Sequence, residues 1–180
     1  MKTRTVLLLA ALAVAIAVAF VFTTSLKPPE NGSNAITSLS SISKLDVFTR
    51  DGKKVNLSKL KGKVVVVHFW ATWCPPCVEE LPELNTFWAK FKNNPEIALY
   101  SVSVDDSWQA IDDFRKKTPF DLPEFRDPGA KTAHKFGTAK FPETYIANRS
   151  GRILYHLAEA IDWDSAEVTQ NVEALLAQKE

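Results

Sequence analysis

Buried strands alternating with amphipathic helices from about residue 44 onward predict an α/β domain: a mixed central β-sheet flanked by helices, with an N-terminal β-hairpin extension. Three observations carry the prediction. Val64–Trp70 is an unbroken β-branched and aromatic run, as a strand buried on both faces reads. Past Cys77, the apolar residues Val78, Leu81, Leu84, Trp88 and Phe91 recur at spacings of three and four, the period of a helix with one buried face. Near the C-terminus, Thr144–Ala147 and Ile153–Leu157 flank the turn Asn148-Arg149-Ser150-Gly151, the pattern of an antiparallel hairpin.

The chain has 180 residues, 46% hydrophobic and 24% charged, which fits one globular domain with an appendage. The formal net charge is +1 and no Lys/Arg stripe stands out after residue 50, so the electrostatic footprint of a nucleic-acid binder is missing.

Residues 1–26 read as an export element. Lys2 and Arg4 precede the apolar run Val6–Phe22, whose 17 residues sit at the short limit for a spanning helix. Ala17-Val18-Ala19 offers small residues for signal cleavage, yet the run continues past them, which favours a retained membrane anchor over a cleaved signal peptide. In both cases the basic residues stay inside and the remainder is exported. No cysteine follows the run, so a lipoprotein anchor is excluded. Residues 27–43, rich in Pro, Ser, Asn and Thr, read as a linker, and residues 44–180 as the folded domain.

Within the domain, Leu45–Thr49, the turn Asp51-Gly52 and Val55 predict the N-terminal hairpin. Val64–Trp70 is the central strand, and the helix after Cys77 should be kinked by Pro82. A second buried strand is expected over Ile97–Val104, helices over Trp108–Lys117 and Ala130–Phe136, a short strand around Phe125, and a closing helix over Ala166–Ala177.

Cys74 and Cys77, the two cysteines of the chain, stand in Trp73-Cys74-Pro75-Pro76-Cys77 between the central strand and the long helix. A disulfide there closes so small a ring that it removes little entropy from the unfolded chain, which makes it a poor staple. At a helix N-terminus, the unpaired N–H groups and the dipole stabilise a thiolate. Cys74 is therefore expected as the exposed attacking thiolate and Cys77, one turn in, as the resolving thiol. Pro75 and Pro76 stiffen the ring and withhold N–H donors from the sulfurs. A structural zinc site wants four ligands, and no second pair stands at ligand spacing. Copper(I) needs only soft thiolates, which keeps a copper-delivery protein as an alternative.

Phe69-Trp70-Ala71-Thr72-Trp73-Cys74-Pro75-Pro76-Cys77, with Pro82 in the helix behind it, resembles the active-site segment of the thioredoxin-like TlpA/ResA/DsbE (CcmG) family of membrane-anchored thiol-disulfide oxidoreductases. The resemblance runs from about Leu45 to Leu176. It implies a thioredoxin-like fold, an enzyme without a cofactor or metal, and a domain facing the periplasm or the outside of a bacterial envelope. It implies as partners cysteine-containing exported proteins, apocytochrome c among them, and a membrane thiol-disulfide electron donor. Phe141-Pro142-Glu143-Thr144 matches the family's cis-proline loop, so Phe141 and Pro142 are expected to dock substrate, against the alternative of an ordinary edge-strand or turn proline at 142; the Pro-Glu-Thr form resembles the cytochrome c maturation members more than the Pro-Thr-Thr form of some relatives does. Glu80 matches an active-site glutamate that assists proton traffic, against the bland alternative of a solvated helix carboxylate. His68 departs from the pattern: ordinary thioredoxins carry a buried aspartate in this strand, and a histidine there is a candidate proton acceptor for Cys77 or a packed core residue. Trp70 and Trp73 are expected as an apolar collar under the partner peptide. Trp88, Trp108 and Trp163 read as aromatics without a role, and His134 and His156 as isolated.

A peroxiredoxin-like peroxidase shares the fold, but its threonine three residues before a single reactive cysteine is replaced here by Ala71, and a second cysteine follows at once.

Overall fold

The structure, a computed structural model, describes residues 41–42 and 45–178. The export element and most of the linker lie outside these residues. Seven strands, β1 (Asp46–Phe48), β2 (Lys54–Asn56), β3 (Val64–Trp70), β4 (Ile97–Ser103), β5 (Glu124–Arg126), β6 (Glu143–Ala147) and β7 (Ile153–Leu157), form one sheet in the order β2-β1-β5-β4-β3-β6-β7. Among the described residues four α-helices accompany them: α1 (Pro75–Phe91), α2 (Trp108–Lys117), α3 (Lys131–Phe136) and α4 (Ala166–Ala177). None of the helices among the described residues is long and apolar enough to cross a membrane.

All seven residues of β3 are buried, which is why the run carries no alternation. Its neighbours are β4, parallel, and β6, antiparallel, with Val66 opposite both Leu99 and Ile146. The sheet is mixed as expected. On one face, Phe87 of α1 packs on Trp163 with centroids 5.0 Å apart, and Trp163 meets His68 edge-on at 5.9 Å. On the other, Phe136 of α3 packs on Phe69 and Tyr145 at 6.3 and 5.0 Å. β1 and β2 pair antiparallel, Val47 opposite Val55, around a turn where Gly52 takes a φ of 78°. Phe48 meets Arg126, so the pair joins the sheet through β5.

Ser41 and Ile42 belong to the folded part, although composition assigns them to the linker. Ile42 is buried, its N–H donates to the Gly151 carbonyl at 3.0 Å, and Ser41 bridges to Arg152. One buried side chain and a backbone bond fasten a stretch whose composition is otherwise polar. At the same end, Arg149 donates to the carbonyls of Gly62, Leu176 and Gln178 at 2.9, 2.7 and 3.0 Å, placing a cation at the C-terminus of α4.

Candidate active site

β3 ends at Trp70 and the chain turns through Ala71, Thr72 and Trp73 into α1, with Cys74 as the N-cap and two prolines in the first turn. Proline suits that turn because its missing N–H would have no helical partner there. Cys74 and Cys77 are joined in a disulfide, Cα atoms 5.3 Å apart. The Cys77 N–H donates to Cys74 Sγ at 3.4 Å, so a backbone donor of the helix terminus is aimed at the sulfur that would carry negative charge.

Cys74 is 5% exposed and Cys77 0%, which keeps the expected order but corrects the picture of an exposed Cys74. The 141–142 loop lies over the sulfur, with the Phe141 carbonyl oxygen 3.4 Å from Cys74 Sγ. The Phe141–Pro142 bond is cis. Trp73 is 64% exposed and meets Phe141 edge-on at 6.1 Å, so two aromatic rings border the sulfur.

Trp70 is not part of that collar. It is 1% exposed and packed against Phe114 and Phe120, at 5.9 and 5.7 Å, because it closes the buried strand and its side chain turns inward. Its neighbour Trp73, three residues on in the loop, is the one that reaches the surface.

Glu80 is no solvated carboxylate: it lies on the buried face of α1 and is 4% exposed. The connection between β7 and α4 folds over it, and Glu80 Oε2 accepts from the Ile161 N–H at 3.1 Å and from the Trp163 indole N–H at 3.2 Å. Burial is the largest influence on its carboxyl and pushes it up to about 7, partly opposed by those two bonds. His68 is buried at the middle of β3, with Nε2 3.3 Å from Glu80 Oε1 and Nδ1 3.0 Å from the Thr144 hydroxyl. Burial pushes its imidazole down to about 3. The structure thus brings Cys74, Cys77, Trp73, Phe141 and Pro142 to one end of the sheet, and pairs His68 with Glu80 inside it.

Three features escape the sequence reading. Trp163 is fully buried and holds Glu80, across 83 residues of chain. His156, seemingly isolated, stacks flat on Tyr145 with centroids 4.6 Å apart and pairs with the buried Glu143 carboxylate. The hairpin register, which sets Tyr145 opposite His156, was the signal that could have found it. Asp105 is the third. Its carboxylate accepts from the Thr72 N–H at 3.0 Å, the Thr72 hydroxyl at 2.7 Å and the Ser103 hydroxyl at 2.6 Å, tying the loop before Cys74 to the end of β4. An Asp105→Ala variant strands the buried Ser103 hydroxyl and the part-buried Thr72 donors, so denaturant melts should show a loss of about 2 kcal/mol. Alkylation of Cys74 in the reduced variant should change rate as well; wild-type values in both would mean that other contacts hold Thr72.

A helix-terminal cysteine pair behind the central strand of a mixed sheet, faced by a cis-proline loop, defines a thioredoxin-like domain. The AhpC/TSA family model matches residues 40–156, and the chain belongs to that family. The chain is similar to the thiol-disulfide oxidoreductase ResA of Bacillus cereus, 30% identical over 104 residues, covering 58% of this chain and 60% of that protein. Against ResA of Bacillus subtilis (strain 168) the identity is 31% over 104 residues, 58% of each chain. It therefore spans about three fifths of the length of the curated relatives it matches. Among solved structures, MTB DsbF in its mixed oxidized and reduced forms is similar with a TM-score of 0.63 at 27% identity, covering 74% of this chain and 96% of that one.

Proposed function

We propose that this protein is a thiol-disulfide oxidoreductase of the cell envelope that reduces disulfides in exported proteins, apocytochrome c among them. The observation that carries the reading is the Cys74–Cys77 pair at the N-terminus of α1, with the exposed Trp73 beside Cys74 and the Phe141 carbonyl against its sulfur. Similarity to ResA, itself named a thiol-disulfide oxidoreductase, supports it. In the reduced protein, Cys74 as thiolate attacks one sulfur of the substrate disulfide; a new S–S bond forms to Cys74 and the other substrate sulfur leaves as a thiolate that takes up a proton. Cys77 gives its proton to the ionised Glu80 carboxylate and attacks Cys74 Sγ. The Cys74–Cys77 disulfide forms, and the second substrate sulfur leaves reduced. Two electrons have passed to the substrate, and a dithiol donor in the membrane returns two to the pair. Trp73, Phe141 and Pro142 form the surface on which the substrate peptide rests. Residues 1–26 tether the domain on the outer face of the membrane.

The test is the redox state of the pair in cells, read by acid quenching and alkylation with a mass-shifting reagent. A mostly reduced pair is the expected result, since an envelope dithiol stays reduced only while a donor feeds it. A mostly oxidised pair would reverse the direction of the reaction.

A further inference from the structure

Two atoms in the cluster behind the disulfide face each other and have no other hydrogen-bond partner. His68 Nε2 and Glu80 Oε1 are both buried, and they stand 3.3 Å apart. The other polar positions are taken: Glu80 Oε2 by the Ile161 and Trp163 N–H groups, His68 Nδ1 by the Thr144 hydroxyl. Two bare acceptors at that separation, away from water, would repel, so a proton lies between them. The elements packed around the pair bring few other titratable groups. α1 contributes Cys77, and Glu83, whose charge opposes ionisation of Glu80. β6 brings Thr144, the β7–α4 connection brings Trp163, and β4 sets the uncharged Ser101 in register with His68.

We propose that His68 is a positioning residue for Glu80, holding it through one shared proton and changing tautomer rather than charge when Glu80 ionises. The purpose of this device rests on the oxidoreductase reading; its existence does not. With Glu80 protonated, the Oε1 hydroxyl donates to Nε2 and the Nδ1–H donates to the Thr144 oxygen. When one proton leaves the cluster, Nε2 carries the ring proton and donates to the Oε1 carboxylate. The Thr144 hydroxyl turns about its C–O bond and donates to Nδ1. Both facing atoms stay bonded in both states, and the imidazole stays neutral, as its burial requires. A carboxyl held this way takes up and releases a proton near neutrality without leaving an unpartnered charge in the core. A proton acceptor for Cys77 needs that property.

The experiment is ¹⁵N-imidazole NMR of the intact, oxidised protein from about pH 5 to about pH 9. The sequence has three histidines, so His68→Asn assigns the signal by its loss. The expected result is a neutral His68 throughout, its proton moving from Nδ1 to Nε2 with a tautomer ratio that changes about tenfold per pH unit near neutrality. An imidazolium signal, or one tautomer over the whole range, overturns the proposal. Glu80→Gln supplies the second arm, because an amide keeps the shape and a donor toward Nε2 without titrating; His68 should stay the Nδ1–H tautomer at every pH. A tautomer change that persists in Glu80→Gln overturns it equally. No substrate enters these measurements, so their failure leaves the disulfide chemistry standing, and an oxidised pair in cells leaves the tautomer result intact.

Discussion

A Cys77→Ser variant incubated with a disulfide substrate should accumulate as a covalent complex that survives denaturing electrophoresis and disappears on reduction. Cys74→Ser should form no such complex, and its turnover of a model disulfide should fall on the order of 10⁴-fold, to the uncatalysed background. The asymmetry follows from the geometry. Of the two cysteines only Cys74 keeps any exposure, 5% against 0%, and its sulfur receives the Cys77 N–H at the start of α1. Cys77 is closed off behind it and can reach a substrate only after Cys74 has bonded to one, so without Cys77 the reaction stops at the mixed disulfide. Neither loss is an unfolding effect, since so small a ring contributes only about 2 kcal/mol through the unfolded chain. Complex formation by Cys74→Ser, or full turnover by Cys77→Ser, would exchange the two roles. The trapped species, identified by mass spectrometry, also tests the substrate class: exported proteins with cysteine pairs are expected in it.

The elements that position this chemistry are legible because each declares itself locally. β3 is a run with no polar interruption except His68, α1 has a 3–4 spacing over five residues, and the β6–β7 turn has a four-residue signature. The dithiol follows from two cysteines set between a strand and a helix. What composition and period could not supply are contacts between distant segments. Glu80 stands three residues after Cys77 on one helical face and Glu79 does not, but the sequence gives no sign of the 158–165 connection, which folds back over α1 and closes Glu80 off. Trp163 looks like any aromatic in a polar stretch until it is found under that fold, against Phe87 and His68. Trp70 and Trp73 are both tryptophans beside the cysteines, and the strand's end lies between them: one is core, the other surface. Asp105 gives no signal at all, since Thr72, which supplies two of its three donors, lies in a loop 33 residues away.

Glu80→Gln should make the protein more stable above neutrality and less active, and the sign of the first effect can be worked out. In the folded protein the carboxyl is raised from 4.5 to about 7, so the folded state binds the extra proton between those values. The stabilisation from this group is therefore fully present below pH 4.5 and is lost as pH rises through about 7. A shift of that size is on the order of 3 kcal/mol. His68 acts in the opposite sense: lowered from 6.5 to about 3, it contributes stability that is present above pH 6.5 and lost as pH falls through about 3. Between roughly pH 4.5 and 6.5 the two slopes cancel, so wild-type stability should be level there and decline beyond it. In Glu80→Gln the amide takes the place of the protonated acid, accepting from Ile161 and Trp163 and donating to His68, so the two proteins should match at about pH 4. Urea melts across pH should then show the variant pulling ahead by about 3 kcal/mol by pH 8. Parallel stability curves would mean that Glu80 is ionised throughout and hydrated in solution. Over the same range the variant should turn over about 10²-fold more slowly, since an amide cannot take the Cys77 proton. A residue whose replacement stabilises the fold while slowing the reaction is kept for its chemistry, and that opposed pair of changes is what separates a buried proton acceptor from a packing residue.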